Sequence, residues 1–178
     1  WIIYVGITFV EIIALRVAGM ETFDSICHAF TTMPTGGFST KNASIAHYDN
    51  PAIHYIIIIF MFVAGINFTL HFRAINGDLK AYYKDREFLV YFSIIFIVST
   101  IILLTLAYQT NTFSGLSLRE SIFGTIAILT GTGYVLGDYE LWPVFLQMIL
   151  LTLMFIGGMG GSTTGGMKVI RVLLLVKY

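Results

Sequence analysis

Four long apolar stretches, separated by short segments that contain glycine, constrain this chain more than any other feature. Residues 1–20, 52–72, 88–108 and 141–156 each approach the length of about 20 apolar residues that a helix needs to cross a bilayer. The chain as a whole is 57% hydrophobic and only 11% charged, with a mean hydropathy of +0.84. This balance excludes an ordinary soluble domain and predicts an all-α integral membrane protein.

Charge and cysteine content exclude several other classes of protein. Ten basic and ten acidic residues give a net charge of zero, so the sequence offers no basic field that would attract a nucleic acid. Cys27 is the single cysteine, which excludes an internal disulfide and a thiolate metal cluster. We therefore expect no nucleic-acid partner and no covalently bound cofactor.

Two further apolar segments are too short to cross a bilayer. Residues 21–32 (ETFDSICHAFTT) and 117–129 (SLRESIFGTIAIL) lie between the long stretches, and at about 1.5 Å per residue each helix must stop partway. A loop with glycine follows each one, and Gly37 in the first loop stands 96 positions before Gly133 in the second. The order spanning helix, half-helix, glycine loop, spanning helix therefore occurs twice.

This repeat predicts how the chain is organised. Residues 1–73 form the first unit, with its loop at 33–40, and residues 87–178 form the second, with its loop at 130–137. Residues 74–86 link the two units. Lys and Arg concentrate on the cytoplasmic side of a membrane, and here they cluster in and around the linker and after the fourth stretch: Arg73, Lys80, Lys84, Arg86, Lys168, Arg171 and Lys177. We therefore predict a cytoplasmic linker and glycine loops that open outward.

The two loops have the composition of a backbone that coordinates a cation. Irregular backbone at membrane depth is tolerated only where it is buried in protein or lines a water-filled path, and the end of each half-helix carries partial negative charge. Neither loop contains Asp or Glu, so carbonyl oxygens are the expected ligands. Gly37-Phe38 and Gly133-Tyr134 hold the place of Gly-Tyr in T-V-G-Y-G potassium filters, with each aromatic ring behind its loop. Ordinary glycine turns outside the bilayer are the alternative.

The fourth apolar stretch runs into a segment rich in glycine. Six of the ten residues 157–166 (GGMGGSTTGG) are glycine, and each costs about 1 kcal/mol relative to alanine inside a helix. We therefore expect the helix to break at membrane depth. The segment lacks the G-K-[ST] order of a nucleotide-binding P-loop, and a small-residue packing face between helices is the remaining alternative.

Three segments resemble one known family. Residues 25–40 (SICHAFTTMPTGGFST), 65–72 (GINFTLHF) and 157–171 (GGMGGSTTGGMKVIR) resemble the second and third repeats of the Trk/Ktr/HKT potassium transporter superfamily, closest to its TrkH-type branch. The resemblance covers nearly the whole chain. It implies four helix, half-helix pore loop, helix repeats in one polypeptide around a pseudo-fourfold, potassium-channel-like pore, of which this chain would supply two.

The resemblance also implies roles for individual residues. Backbone oxygens around one key glycine in each repeat would bind K⁺, the transported ion. The implied filter residues are Thr35, Gly36, Gly37, Phe38, Gly131, Thr132, Gly133 and Tyr134. The segment 157–166 would be an intramembrane gate below the filter, formed by Gly157, Gly158, Gly160, Gly161, Ser162, Thr163, Thr164, Gly165 and Gly166 together with Lys168.

The function implied by this family is potassium uptake across the inner membrane of a bacterium by a multi-pass protein. Nothing is chemically transformed, so we predict no enzyme site. The resemblance further implies a homodimer that contacts membrane lipid and rests on a cytosolic ring of nucleotide-binding regulatory subunits of the TrkA type. The alternative from a different class is a non-conducting membrane assembly or scaffold subunit, in which the half-helices only pack.

Overall fold

Helices make up all the regular structure in the residues that the computed structural model describes, 1–110 and 114–177. The predicted all-α class is thus confirmed for this part of the chain. In chain order the α-helices are α1 (Ile2–Val17), α2 (Thr22–Thr32), α3 (Pro51–Ala64), α4 (Phe68–Ile75), α5 (Lys80–Lys84), α6 (Arg86–Thr110), α7 (Gly115–Leu129), α8 (Val144–Ile156) and α9 (Val169–Lys177).

The short helices α2 and α7 lie at the centre of the packing. Helix α2 contacts α1 and α3, while α7 contacts α6 and α8 and also α3 of the first predicted unit. Local sequence signals fix where these elements begin. Asn50 caps α3 by accepting a hydrogen bond from the amide of Ala52 (3.0 Å), with Pro51 as the first helical residue. Ser114 caps α7 through the amide of Ser117 (3.0 Å).

The core lies where α3, α6, α7 and α8 meet, and it is filled by fully buried side chains such as Met61, Tyr91, Phe123 and Leu146. Helix α6 is the one helix in the described ranges that is long and apolar enough to cross a membrane alone. Its outer side presents large apolar residues, among them Phe96. A helix with this length and these exposed apolar side chains suits a bilayer.

The second apolar stretch does not form the single helix that residues 52–72 predict. Helix α3 ends at Ala64, α4 begins at Phe68, and the two axes are bent by 101°. Asn67 starts α4 by accepting a hydrogen bond from the amide of Thr69 (2.8 Å). Hydropathy missed the bend because the one polar residue at its centre, Asn67, is averaged with the apolar residues on either side. Helices α1 and α8 are also shorter than their predicted stretches, with 16 and 13 residues.

The predicted break after α8 is present. The chain leaves the helix at Gly157, whose φ is +78°, and runs without helix to the start of α9. We call residues 157–168 the Gly-rich segment. It fills the bend between α3 and α4, since the amide of Met159 donates to the carbonyl of Gly65 (3.0 Å) and the amide of Phe68 donates to that of Gly161 (3.1 Å). The two helix breaks therefore satisfy each other's backbone groups.

Gly65→Ala should lower the melting temperature of the full-length protein. The added methyl group would overlap the hydroxyl of Tyr91, whose ring is fully buried, and overpacking of this kind costs about 1–3 kcal/mol. Thermal unfolding in detergent, followed by loss of the main chromatographic peak, measures the effect. Gly6→Ala is the control, because no atom lies within 4 Å of its added Cβ. Equal melting temperatures for the two variants would contradict this packing.

Candidate ion-coordination site

The first glycine loop leaves α2 with its amides turned back toward the helix. The amide of Thr35 donates to the carbonyl of Thr32 (2.9 Å), and the amides of Gly36 and Gly37 both donate to the carbonyl of Thr31 (2.8 and 3.1 Å). These bonds satisfy carbonyl groups at the end of α2. In the described residues, the carbonyl oxygens of Thr35, Gly36 and Gly37 themselves accept no hydrogen bond.

The second loop repeats this arrangement. The amide of Gly131 donates to the carbonyl of Ile128 (3.1 Å), and the amide of Gly133 donates to that of Ala127 (3.0 Å). Within residues 1–110 and 114–177, no donor reaches the carbonyl oxygens of Gly131, Thr132 and Gly133. The side chain of Thr132 is buried while both glycines are exposed. The loop thus presents bare backbone to its open side.

Both loops share one uncommon backbone conformation. The φ angle is +56° at Thr35 and +68° at Gly37, and it is +71° at Gly131 and +75° at Gly133. The residue between each pair has no positive φ. Alternating signs of φ turn successive peptide groups to the same side of the chain, as in backbone nests. Here five of the six amides donate to the preceding helix, those of Thr35, Gly36, Gly37, Gly131 and Gly133. The carbonyls are the groups left free.

The two loops touch through their backbones. A Cβ added to Gly37 would overlap the carbonyl oxygen of Thr132, so only glycine permits this approach. The loops therefore bring six unpaired carbonyl oxygens to adjoining positions. No group of three or more His, Cys, Asp or Glu side chains suited to a metal ion occurs in the part of the chain that the structure describes. The ligands that the loops present are therefore neutral carbonyl oxygens, which suit a large monovalent cation.

Tyr134 anchors the second loop to the half-helix of the first unit. Its ring is fully buried, and its hydroxyl lies 2.7 Å from Oγ1 of Thr31. Oγ1 of Thr31 in turn lies 2.8 Å from the carbonyl oxygen of Phe38. The two loops are therefore connected by hydrogen bonds when Tyr134 donates to Thr31 and Thr31 donates to Phe38. The Tyr134 hydroxyl also lies 3.2 Å from Oγ1 of Thr32 and 3.2 Å from the carbonyl of His28.

Phe38 does not take the equivalent position, although the sequence pattern predicts that it does. Its ring is 77% exposed and lies beside the Cα of Gly36. The two rings differ because Tyr134 packs against α2, the half-helix of the other unit, rather than against the half-helix of its own unit. No half-helix in the described residues covers Phe38 in the same way. The remaining predicted filter residues lie in the two adjoining loops.

Asp24 organises a buried polar network at the outer end of the first loop. Thr40 and Tyr48 donate hydrogen bonds to its two carboxylate oxygens (2.7 and 2.8 Å), and Lys41 forms an ion pair with it (3.1 Å). Burial opposes ionisation, but the bonds from Thr40, Tyr48 and Lys41 outweigh it and lower the pKa of Asp24 to about 2. Asp24 lies in the first turn of α2, outside the spanning helices. Sequence analysis missed this network, because its members are distant in the chain.

The Gly-rich segment lies directly against the first loop. Oγ1 of Thr35 donates to the carbonyl of Thr163 (3.2 Å) and to that of Pro34 (2.7 Å). These bonds hold Thr35 in a positive-φ conformation that a β-branched residue rarely adopts. At the far end of the segment, the Lys168 ammonium binds the carbonyl and the hydroxyl of Thr164. The predicted gate residues thus lie between the first loop and the α3–α4 bend.

Comparison with known proteins identifies the class to which this fold and site belong. The sequence profile of the family described as cation transport protein, TrkH, matches residues 1–178, the whole chain. The class is therefore that of cation transport proteins. Within it, the chain belongs to the TrkH family, as the three resembling segments predict.

Individual relatives agree with this assignment. The Trk system potassium uptake protein TrkH of Escherichia coli K12 is 42% identical over 180 residues, which cover 99% of this chain and 37% of that protein. The Trk system potassium uptake protein TrkI of Halomonas elongata is 32% identical over 95% of this chain and 34% of its own length. The crystal structure of the potassium transporter TrkH from Vibrio parahaemolyticus superimposes with a TM-score of 0.93 at 39% identity, covering 99% of this chain and 38% of that one.

Two conclusions follow from the comparisons. The prediction of a transport protein rather than an enzyme is confirmed by the family, whose members are potassium uptake proteins. This chain also spans little more than a third of the length of the relatives it matches. The activity of the whole protein is therefore a matter for the proposal below.

Tyr134→Phe should destabilise the full-length protein by about 0.5–1.5 kcal/mol, the usual value of a buried hydrogen bond. The variant keeps the ring but removes the hydroxyl that binds Thr31. Tyr83→Phe is the matched control, since the Tyr83 ring is 77% exposed. Thermal unfolding of both variants beside wild type measures the difference. A Tyr134→Phe protein as stable as Tyr83→Phe would show that the hydroxyl is not a functioning anchor.

Asp24→Asn should destabilise the protein by about 1–3 kcal/mol, because an amide cannot accept from both hydroxyl donors and loses the ion pair. The pKa of Asp24 is lowered from 3.8 to about 2, so the ionised form contributes fully above pH 3.8 and its contribution is lost as the pH falls toward 2. The difference in melting temperature between wild type and variant should therefore stay constant from about pH 8 to 5. A difference that shrinks steadily across that range would contradict the assigned pKa.

Proposed function

We propose that the full-length protein containing this chain takes up potassium across the bacterial inner membrane, and that loops 33–40 and 130–137 are two parts of its selectivity filter. The observation that carries the proposal is the pair of adjoining loops with six unpaired carbonyl oxygens. Backbone carbonyls that accept no hydrogen bond within the protein require another partner, either water or a cation. A partly dehydrated K⁺ ion is such a partner.

The electrostatics of the two half-helices support a cation at this position. Helices α2 and α7 both end directly before a loop, and the aligned peptide dipoles place partial negative charge at that end. Neither loop holds a basic side chain among residues 33–39 or 130–137. A monovalent cation would thus meet favourable potential from two helices and no positive charge within the loops themselves.

Each filter residue has a distinct part in this proposal. Thr35, Gly36 and Gly37 would direct carbonyl oxygens to the ion from the first loop, and Gly131, Thr132 and Gly133 would do so from the second. Tyr134 would fix the position of the second loop from behind. The carbonyl of Phe38 accepts the hydrogen bond from Thr31. In this proposal K⁺ is the transported ion and not a resident cofactor.

The Gly-rich segment would be the gate. It adjoins the first loop through the bond from Thr35 to Thr163 (3.2 Å), so it lies close to any ion that has passed the first loop. Its backbone adopts positive φ at Gly157, Gly161 and Gly166, and glycine pays little to change such angles. Met159 is fully buried, but with six glycines the segment could move with few large side chains.

The location and partners of the full-length protein follow the same reasoning. The basic residues of the linker and of α9 support a cytoplasmic location for those parts, and the exposed apolar side chains of α6 would face lipid. Relatives are named as parts of the Trk system, which supports a cytosolic regulatory ring of the TrkA type as the partner of the linker. A homodimer remains part of the proposal. The scaffold alternative assigns no role to the six carbonyl oxygens.

Rubidium-86 uptake into proteoliposomes that hold the full-length protein tests the proposal, with K⁺ and Na⁺ as competitors. Uptake that K⁺ blocks and Na⁺ does not is the expected result. Absence of such uptake, in protein shown to be folded by its melting curve, would favour the scaffold alternative.

The two filter glycines should differ in their response to alanine. Gly37→Ala forces a methyl group onto the Thr132 carbonyl and so displaces both loops, and we expect it to abolish the preference for K⁺. Gly133→Ala meets no atom within 4 Å and adds only backbone strain of about 1–2 kcal/mol. It should retain part of the uptake. The same assay measures both variants, with Gly6→Ala as control, and a more severe effect at Gly133 would contradict the loop contact described above.

A further inference from the structure

One acidic side chain on the neighbouring helix α6 binds the Gly-rich segment. Glu87 lies in the first turn of α6 and is 9% exposed. Its Oε1 atom accepts hydrogen bonds from the amide of Gly160 (2.7 Å) and from the amide of Ile170 (3.0 Å). Gly160 belongs to the Gly-rich segment, and Ile170 lies in the first turn of α9. A single carboxylate oxygen therefore joins α6 to the segment and to the helix that follows it.

The chemistry of these two bonds makes them stronger than the others that hold the segment. Hydrogen bonds to a carboxylate are roughly twice as strong as those between neutral groups. The amide of Ile170 is one of the unpaired amides at the start of a helix, where the dipole also favours a negative charge. The Lys168 ammonium, at the end of the segment, adds an electrostatic attraction to Glu87. Removing the carboxylate would leave two amides without their acceptor.

The other bonds of the segment do not reach α6. Its amides and a hydroxyl donate to the carbonyls of Gly65 and Ala64 at the α3–α4 bend. Its Thr163 carbonyl accepts a hydrogen bond from the Thr35 hydroxyl of the first loop. Because so many of its residues are glycine, the segment has few side chains with which to pack. Its position thus depends on a small number of polar contacts. Glu87 makes the contact from the end of α6 that adjoins the linker.

The start of α6 connects Glu87 to that linker. Asp85 caps the helix by accepting a hydrogen bond from the amide of Phe88 (2.9 Å), so the first turn of α6 is rigidly joined to the residue that precedes it. Helix α5 ends directly before this cap. A movement of α5 toward or away from the membrane would be passed to the first turn of α6 and hence to the Glu87 carboxylate.

We propose that Glu87 is the positioning residue that holds the Gly-rich segment in its closed place, and that displacement of the first turn of α6 releases it. This inference rests on the proposed function, since it assigns the control of the same gate. The carboxylate touches no ion in this account. It acts through the two amides, and release of both allows the segment to leave the path below the first loop.

Glu87→Gln and Glu87→Ala in the full-length protein test the inference, with rubidium-86 uptake into proteoliposomes as the readout. The amide of glutamine is a neutral acceptor of nearly the same shape, so we expect uptake to rise about threefold. Alanine removes the acceptor altogether, and we expect a rise of about tenfold. The ratio of uptake in the presence of competing K⁺ to that with Na⁺ should stay at the wild-type value, because neither loop changes.

Glu140→Ala is the matched control, since Glu140 is an exposed residue outside the Gly-rich segment whose carboxylate forms no hydrogen bond in the described residues. Melting temperatures are recorded for every variant, and Glu87→Gln alone decides the question if Glu87→Ala fails to assemble. Wild-type uptake in Glu87→Gln and Glu87→Ala, or uptake that falls together with the melting temperature, would overturn the inference. Wild-type protein without any uptake blocked by K⁺ would instead overturn the proposed function.

Discussion

The rest of this structure depends on the need to satisfy backbone amides and carbonyls where apolar helices are broken. A break inside a bilayer has no water to bind the freed groups, and each one left unpaired costs several kcal/mol. This chain contains two such breaks, at the α3–α4 bend and after α8, and it places them against each other. The carbonyls of Ala64 and Gly65 accept hydrogen bonds from the amides of Thr163 and Met159. The amide of Phe68 donates a hydrogen bond to the carbonyl of Gly161. Each break therefore supplies hydrogen-bond partners for the other.

The same principle explains why the candidate filter stands out. Amides in both loops return to the ends of α2 and α7, but the carbonyls of six loop residues remain without protein partners in the described ranges. At the α3–α4 bend and in the Gly-rich segment, by contrast, amides and carbonyls of the two helix breaks pair with each other. The contact between Gly37 and Thr132 and the hydroxyl of Tyr134 then fix one loop relative to the other. The geometry of the two adjoining loops is therefore a product of both units and not of either alone.

Sequence patterns predicted the elements whose signals are local. The half-helices, the loops after Thr32 and Leu129, and the helix break at Gly157 all follow from apolar length and glycine content. The α3–α4 bend was missed, although Gly65 followed by the capping residue Asn67 is a usable signal for it. The role of Tyr134 and the exposure of Phe38 were beyond prediction, because they depend on which unit packs against which. The bonds of Glu87 and Asp24 join residues that no local pattern relates.

The two loops are alike in backbone conformation but differ in how they connect to the Gly-rich segment. Thr35 and Gly131 stand at equivalent positions with nearly equal φ, yet only threonine carries a hydroxyl that reaches Thr163. Glycine would adopt this φ without strain, whereas threonine adopts it at a conformational cost. The bond to the segment is the compensation visible in the structure. Within the described residues, the hydrogen bond to the Gly-rich segment therefore comes from the first loop, while the second loop is fixed by its aromatic anchor.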